Sequence, residues 1–271
     1  MPKISKKIRT ISGIASLAGA VTIILVSAFM FMDQLNHFLF IGLLVGFVPI
    51  AVLDQMNQSW QAAVNDKLPQ LVRDLSESQE TGQTFIKALD EATKIKYGPL
   101  SDEVKKVSVQ MSWGSSLEKA LSHFAERINT LPARRFCILV IEAMRTGGRI
   151  RKVFSMTAES MEETLQLSKE RESQMRPYII IIYAAFFVFL FTTIQLLQSF
   201  FVPLAEIDIV GFMTPLGSGE MFHTFFFHMM TIQSVLGGLV AGKVGNGRII
   251  SGLKHAIIMM IAGYVAYEIV I

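Results

Sequence analysis

The sequence predicts an all-α polytopic membrane protein, with about five transmembrane helices and a cytoplasmic six-helix bundle of three helical hairpins. Three observations lead there. Long apolar stretches recur at about 11–32, 37–53, 178–202, 222–242 and 250–271. All 25 Lys and Arg residues fall in the blocks 1–10, 54–176 and 243–254. Within the middle block, a proline–glycine pattern occurs in triplicate.

A helix needs about 20 apolar residues to cross roughly 30 Å of hydrocarbon at 1.5 Å per residue. The first stretch follows Lys6, Lys7 and Arg9 and contains Ala18-Gly19-Ala20, which looks like a cleavage site. That triplet comes too early in the apolar run, and a second stretch follows at once, so 11–32 reads as a retained anchor. The second stretch, 37–53, is short and carries Pro49. Cytoplasmic loops retain an excess of Lys and Arg. The loops on the other side carry only acids here: Asp33, Glu206, Asp208, Glu220 and Glu268. The N-terminus and residues 54–176 are therefore expected in the cytoplasm, with the C-terminus outside. This divides the chain into a membrane region at 1–53, a cytoplasmic domain and stalk at 54–176, and a second membrane region at 177–271.

The middle block holds 18 basic and 17 acidic residues, leaving the rest of the chain starved of charge. In it Pro69, Pro99 and Pro132 are each followed by a glycine: Gly82, Gly114 and Gly147. After each glycine an apolar register returns, as Phe85-Ala88-Leu89, Leu117-Ala120-Leu121 and Ile150-Val153-Phe154. Proline is tolerated in a first helical turn, and glycine ends a helix in the left-handed conformation. The unit is thus a helical hairpin. Ser115-Ser116-Leu117-Glu118 offers a capping box to restart the chain. The last helix runs on through Met161, Leu165 and Leu167 to Met175 with a thin apolar stripe, and 155–176 reads as a stalk. Pro177 is expected to open the third span.

The chemistry-bearing candidates are few. Gly237 to Lys243 matches the spacing of a phosphate-binding loop, but Val244 replaces the hydroxyl that would hold magnesium, and no strand precedes it. Gly238 and Gly242, like Gly42 and Gly46, are better read as small residues that let membrane helices approach closely. His223 and His228 are five apart and face different sides of a helix, so no metal site is expected. Cys137, the only cysteine, sits among apolar neighbours as a buried thiol. The spans contain few ionisable groups, which argues against a carrier. The net charge of +3 is too dispersed for nucleic acid. The remaining polar feature is a basic cluster: Arg134, Arg135, Arg145, Arg149, Arg151 and Lys152. It suits an acidic cytoplasmic partner, because arginine forks match carboxylates; a solvated face near lipid headgroups is the plainer alternative.

Leu68-Pro69, Gly82 to Leu89, Trp113 to Leu121, Ala125-Glu126-Arg127 and Glu142 to Gly148 together resemble the type II secretion system F family. These are the platform proteins of secretion systems, type IV pili, Tad pili and the archaeal flagellum. The run from Gly242-Lys243 through Gly252 to Ala256 looks like the archaeal branch. The resemblance implies a non-enzymatic platform in the cell membrane, without cofactor, that couples a cytoplasmic secretion ATPase to the insertion of pilin- or archaellin-like subunits. One such domain, where archaeal platforms carry two, implies a homodimer or a paired half-sized platform subunit. A membrane-anchored signalling or scaffold protein and a transport subunit are the rival readings.

Overall fold

A computed structural model of the protein describes residues 6–30, 35–145, 150–201, 203 and 219–270. Among them there is no strand. The helices are α1 (Lys6–Met30), α2 (Leu35–Glu80), α3 (Phe85–Ala92), α4 (Pro99–Ser112), α5 (Leu117–Ile128), α6 (Leu131–Arg145), α7 (Ile150–Leu196), α8 (Gly219–Asn246) and α9 (Leu253–Val270). A π-helical turn at Leu197–Phe201 extends α7, and a 3-10 turn at Ile250–Gly252 precedes α9. Four stretches, His37–Glu80, Lys152–Phe201, Met221–Asn246 and Ile250–Ile269, are long and apolar enough to cross a membrane, while the apolar stretch Thr10–Val26 of α1 is shorter. The protein is an all-α polytopic membrane protein. Packing divides it into two units, Met56–Arg171 and the flanking segments on either side.

The Met56–Arg171 unit has six helical pieces around one core: the end of α2, then α3 to α6, then the start of α7. The described part of the repeated register, apart from Val153, faces that core. Phe85, Ala88 and Leu89 are buried, as are Ala120, Leu121 and Phe154, and Leu117 packs against them. The Phe85 and Phe154 rings stack 5.7 Å apart, which joins the first and third repeats directly. Gly82 and Gly114 adopt φ of +83° and +85°, the left-handed conformation that lets each chain reverse after its helix. Two residues later Thr84 and Ser116 cap α3 and α5 by accepting from the backbone N–H of Lys87 and Lys119. Gly147 and Gly148 lie outside the described residues, as do Asp33, Glu206 and Asp208.

In the flanking unit the helices are apolar around most of their circumference. Aromatic rings fill its core, with Phe40 stacked 4.5 Å from Tyr264 and Phe227 against Tyr267 at 5.5 Å. Hydroxyls buried among them turn back on their own helices. Thr231 Oγ1 donates to the Phe227 carbonyl and Ser234 Oγ to that of Met230, so neither leaves a polar group unpaired.

Proline misled the sequence reading twice. Pro69 does not open a helix but lies inside α2, and Pro177 lies inside α7 rather than at the start of a span. An interior proline costs about 3 kcal/mol. Around Pro69 that cost is outweighed, because Val64, Leu68, Leu71, Val72 and Leu75 form one fully buried stripe, each contributing roughly 1.5–3 kcal/mol. Helix α2 runs unbroken for 46 residues, from the second apolar stretch through Pro69 to Glu80. Where α5 starts, the capping box is only half made. Ser116 caps, the third helical position is Lys119, and Glu118 turns instead to Arg145 at 3.7 Å.

Candidate functional site

A groove of about 480 Å³ opens on the Met56–Arg171 unit between α2, α6 and α7. Its floor is the face of α7 that recurs from Val153 through Met156, Thr157, Ser160, Met161, Thr164 and Leu165 to Ser168. That spacing of three and four keeps one helical face in line. Its α6 wall carries Leu131, Pro132, Arg135 and Leu139, and its α2 wall Leu68 and Pro69. The threonines add little polarity, because Thr157 Oγ1 donates to the Val153 carbonyl at 2.6 Å and Thr164 Oγ1 to that of Ser160 at 2.8 Å. Beside the groove, Lys169 Nζ donates to Asp66 at 2.7 Å and holds its carboxyl below the usual carboxylate range.

The basic residues singled out from the sequence have different surroundings where they are described. Arg135 lines the groove and has no ion-pair partner among the described residues. Arg134, one position earlier, is spent on the side-chain oxygen of Asn129 at 2.8 Å. Arg145 approaches Glu118, and Lys152 is exposed. Arg149 lies outside the described residues, as does the side chain of Arg151.

The glycine pairs occupy two different packings. A Cβ at Gly238 would meet the Ala256 backbone at 2.2 Å, and one at Gly242 the Gly252 backbone nitrogen at 2.0 Å. Backbone therefore touches backbone between α8 and the segment that opens α9, which only glycine permits. The stretch Gly237–Val244 is thus an interior part of α8, not a loop around a phosphate. Gly42 and Gly46 meet α1 less closely, with Ile24 Cγ1 at 3.0 Å and Ala20 Cβ at 3.2 Å.

Three polar constellations went unread in the sequence. Glu103 is buried in the Met56–Arg171 unit, and takes Lys106 Nζ at 2.7 Å and Arg127 Nε at 2.6 Å. Burial pushes its carboxyl up, but the two cations outweigh that and hold it below the ordinary range. Tyr97, fully buried, donates its hydroxyl to Asp74; burial and that carboxylate push the phenol well up. In the flanking unit, buried Asp54 accepts from Arg248 at 3.1 Å, with Lys254 on neighbouring Gln55 at 3.2 Å. Only Glu103–Lys106 had a local signal, an acid three residues before a lysine on one helix. Cys137 is buried, and burial raises its thiol to about 12, so it is no nucleophile at neutral pH. His255 Nδ1 pairs with the Tyr183 hydroxyl at 3.0 Å. No three His, Cys, Asp or Glu side chains gather around one point among the described residues.

Comparison with known proteins adds a similarity to one family. Residues 71–198 match the model of type II secretion system (T2SS) protein F. An uncharacterized protein of Methanocaldococcus jannaschii is 24% identical over 233 residues, covering 86% of this chain and 38% of the relative. The chain thus spans well under half the length of that relative. No solved structure matches.

Proposed function

We propose, from the match of residues 71–198 to the type II secretion system protein F model, that the protein is a membrane platform for assembly of a type IV pilus-like or archaeal flagellum-like filament. It does no chemistry of its own. The Met56–Arg171 unit faces the cytoplasm and binds a secretion ATPase, and the apolar helices hold pilin- or archaellin-like subunits as they enter the filament. The partition of Lys and Arg supports that orientation. A homodimer or a paired half-sized platform subunit completes the assembly.

The observation that carries the reading is the domain match laid on helical continuity. The helical domain meets the apolar spans through α2 and α7, which run for 46 and 47 residues without interruption. A helix resists bending far better than a loop, so a load applied to the domain has a mechanical route into two spans. Affinity purification of the full chain from its native membranes tests this. A secretion ATPase and pilin-like subunits should be recovered together; recovery of neither would remove the platform reading.

A further inference from the structure

We propose that the groove between α2, α6 and α7 is the docking site for an amphipathic helix of the cytoplasmic motor protein, seated with its apolar face down and an acidic side chain on Arg135. The inference rests on the platform reading and adds to it a location and a chemistry.

Size comes first. The α7 face runs from Val153 to Ser168, roughly 22 Å at 1.5 Å per residue, or about four helical turns. An amphipathic helix that docks in a groove anchors one side chain per turn over that length. The volume of about 480 Å³ is in the range of preformed clefts. Met156 and Met161 line it, and methionine adapts its shape to a partner more readily than a branched side chain.

Charge then specifies the occupant. With the threonine hydroxyls turned onto their own helix, Arg135 is the one charged side chain in the lining, and it lacks an ion partner among the described residues. A guanidinium at the wall of an apolar groove selects a carboxylate that arrives with apolar neighbours. An acyl chain with an anionic head would satisfy Arg135 as well. A single acyl chain is too narrow to cover the groove's own walls, however: Leu131 and Met156, which line it, are 61% and 58% exposed, and Ile138, next to the lining residue Leu139, is 64% exposed. Contiguous exposed apolar side chains around a groove mark a macromolecular contact. A docked helix covers both floor and rim.

A photo-cross-linking amino acid placed at Leu139 or Met156 of the full chain, in native membranes, tests the assignment. Ile86, exposed on α3 and remote in sequence from the groove, is the control position. Adducts from Leu139 and Met156 but not Ile86 should map to one amphipathic helix of the ATPase, bearing Asp or Glu. Arg135→Glu should lower adduct yield at least tenfold without changing the thermal midpoint, and exchange of the mapped acid for Lys should restore it. If the ATPase co-purifies but the adducts lie elsewhere, in lipid alone or in a second copy of this chain, the groove assignment is overturned and the platform reading stands. If no ATPase co-purifies, the groove assignment falls, and if pilin-like subunits are missing as well, the platform reading falls with it.

Discussion

Replacing Gly242 with alanine should loosen the α8–α9 hairpin, and the size of the effect follows from the packing. The added Cβ would sit 2.0 Å from the Gly252 nitrogen and 2.1 Å from its Cα, whereas ordinary contacts begin at 3.4 Å. No side chain can step aside, because the obstruction is backbone. The two segments must therefore part by more than an ångström, and a gap of 0.5–1 Å already forfeits a quarter to a half of the dispersion energy along a contact. Overpacking of this kind costs about 1–3 kcal/mol, and here belongs near the top of that range. Alanine regains about 1 kcal/mol of helix propensity, leaving a net loss of about 2 kcal/mol. Gly19 supplies the opposite case: its Cβ would meet nothing within 4 Å, so Gly19→Ala should be neutral or stabilising by up to about 1 kcal/mol. Thermal unfolding of the purified protein in mild detergent reads the difference. At roughly 2–4 °C per kcal/mol, Gly242→Ala should melt several degrees low and Gly19→Ala should not. Equal midpoints for Gly242→Ala and the parent would refute the backbone-contact reasoning.

Other perturbations have equally definite signs. Glu103→Gln should destabilise the Met56–Arg171 unit by about 2 kcal/mol, since it removes the charged acceptor of two hydrogen bonds. The folded Glu103 titrates below its ordinary value of 4.5, so its contribution is present above that pH and is lost as pH falls through the depressed value. A urea titration series from pH 7 to pH 3 should show less acid sensitivity in Glu103→Gln than in the parent; identical sensitivity would count against the assignment. Asp54→Ala and Arg248→Ala should each lower the melting midpoint, and the double variant should fall short of their sum, because the two share one ion pair. Additive losses would mean that the pair is not coupled. Gly114→Ala should cost about 1–2 kcal/mol through its φ of +85°, with Gly114→Asn less harmful because asparagine tolerates that conformation; an unaffected Gly114→Ala variant would show that the turn had changed.

The helical domain was legible because its signal is local and repeated. Gly82 and Gly114 need the left-handed conformation, and the register after each points three apolar groups to one side, so turns and core appear together in the sequence. The proline part of the pattern was legible at Pro99, the first residue of α4, and at Pro132, near the start of α6. It failed at Pro69, where a buried apolar stripe on either side keeps the helix going and tertiary burial overrides a local breaker, and at Pro177, whose largely exposed surroundings give no structural reason for the continuity. The groove was hidden for a different reason. The α7 face from Val153 to Ser168 alternates apolar and hydroxyl residues, and the donation of Thr157 and Thr164 to their own helix, which commits two of its four hydroxyls, becomes visible only in three dimensions. Asp54 and Arg248 are 194 residues apart, so no spacing rule could pair them. The basic cluster was visible as composition, but which of its members stay uncommitted depends on Asn129 and Glu118, neighbours brought in by the fold.

The most direct test of coupling is to interrupt α7 where it leaves the domain. Several glycines inserted beside Glu172, beyond the groove-lining Ser168, break the helix while leaving the core residues Phe154, Ala158 and Met161 and the apolar run after Pro177 in place. The variant should insert in the membrane and retain its ATPase, yet assemble no filament. Filaments formed at the parental level by that variant would contradict a platform that transmits force through α7.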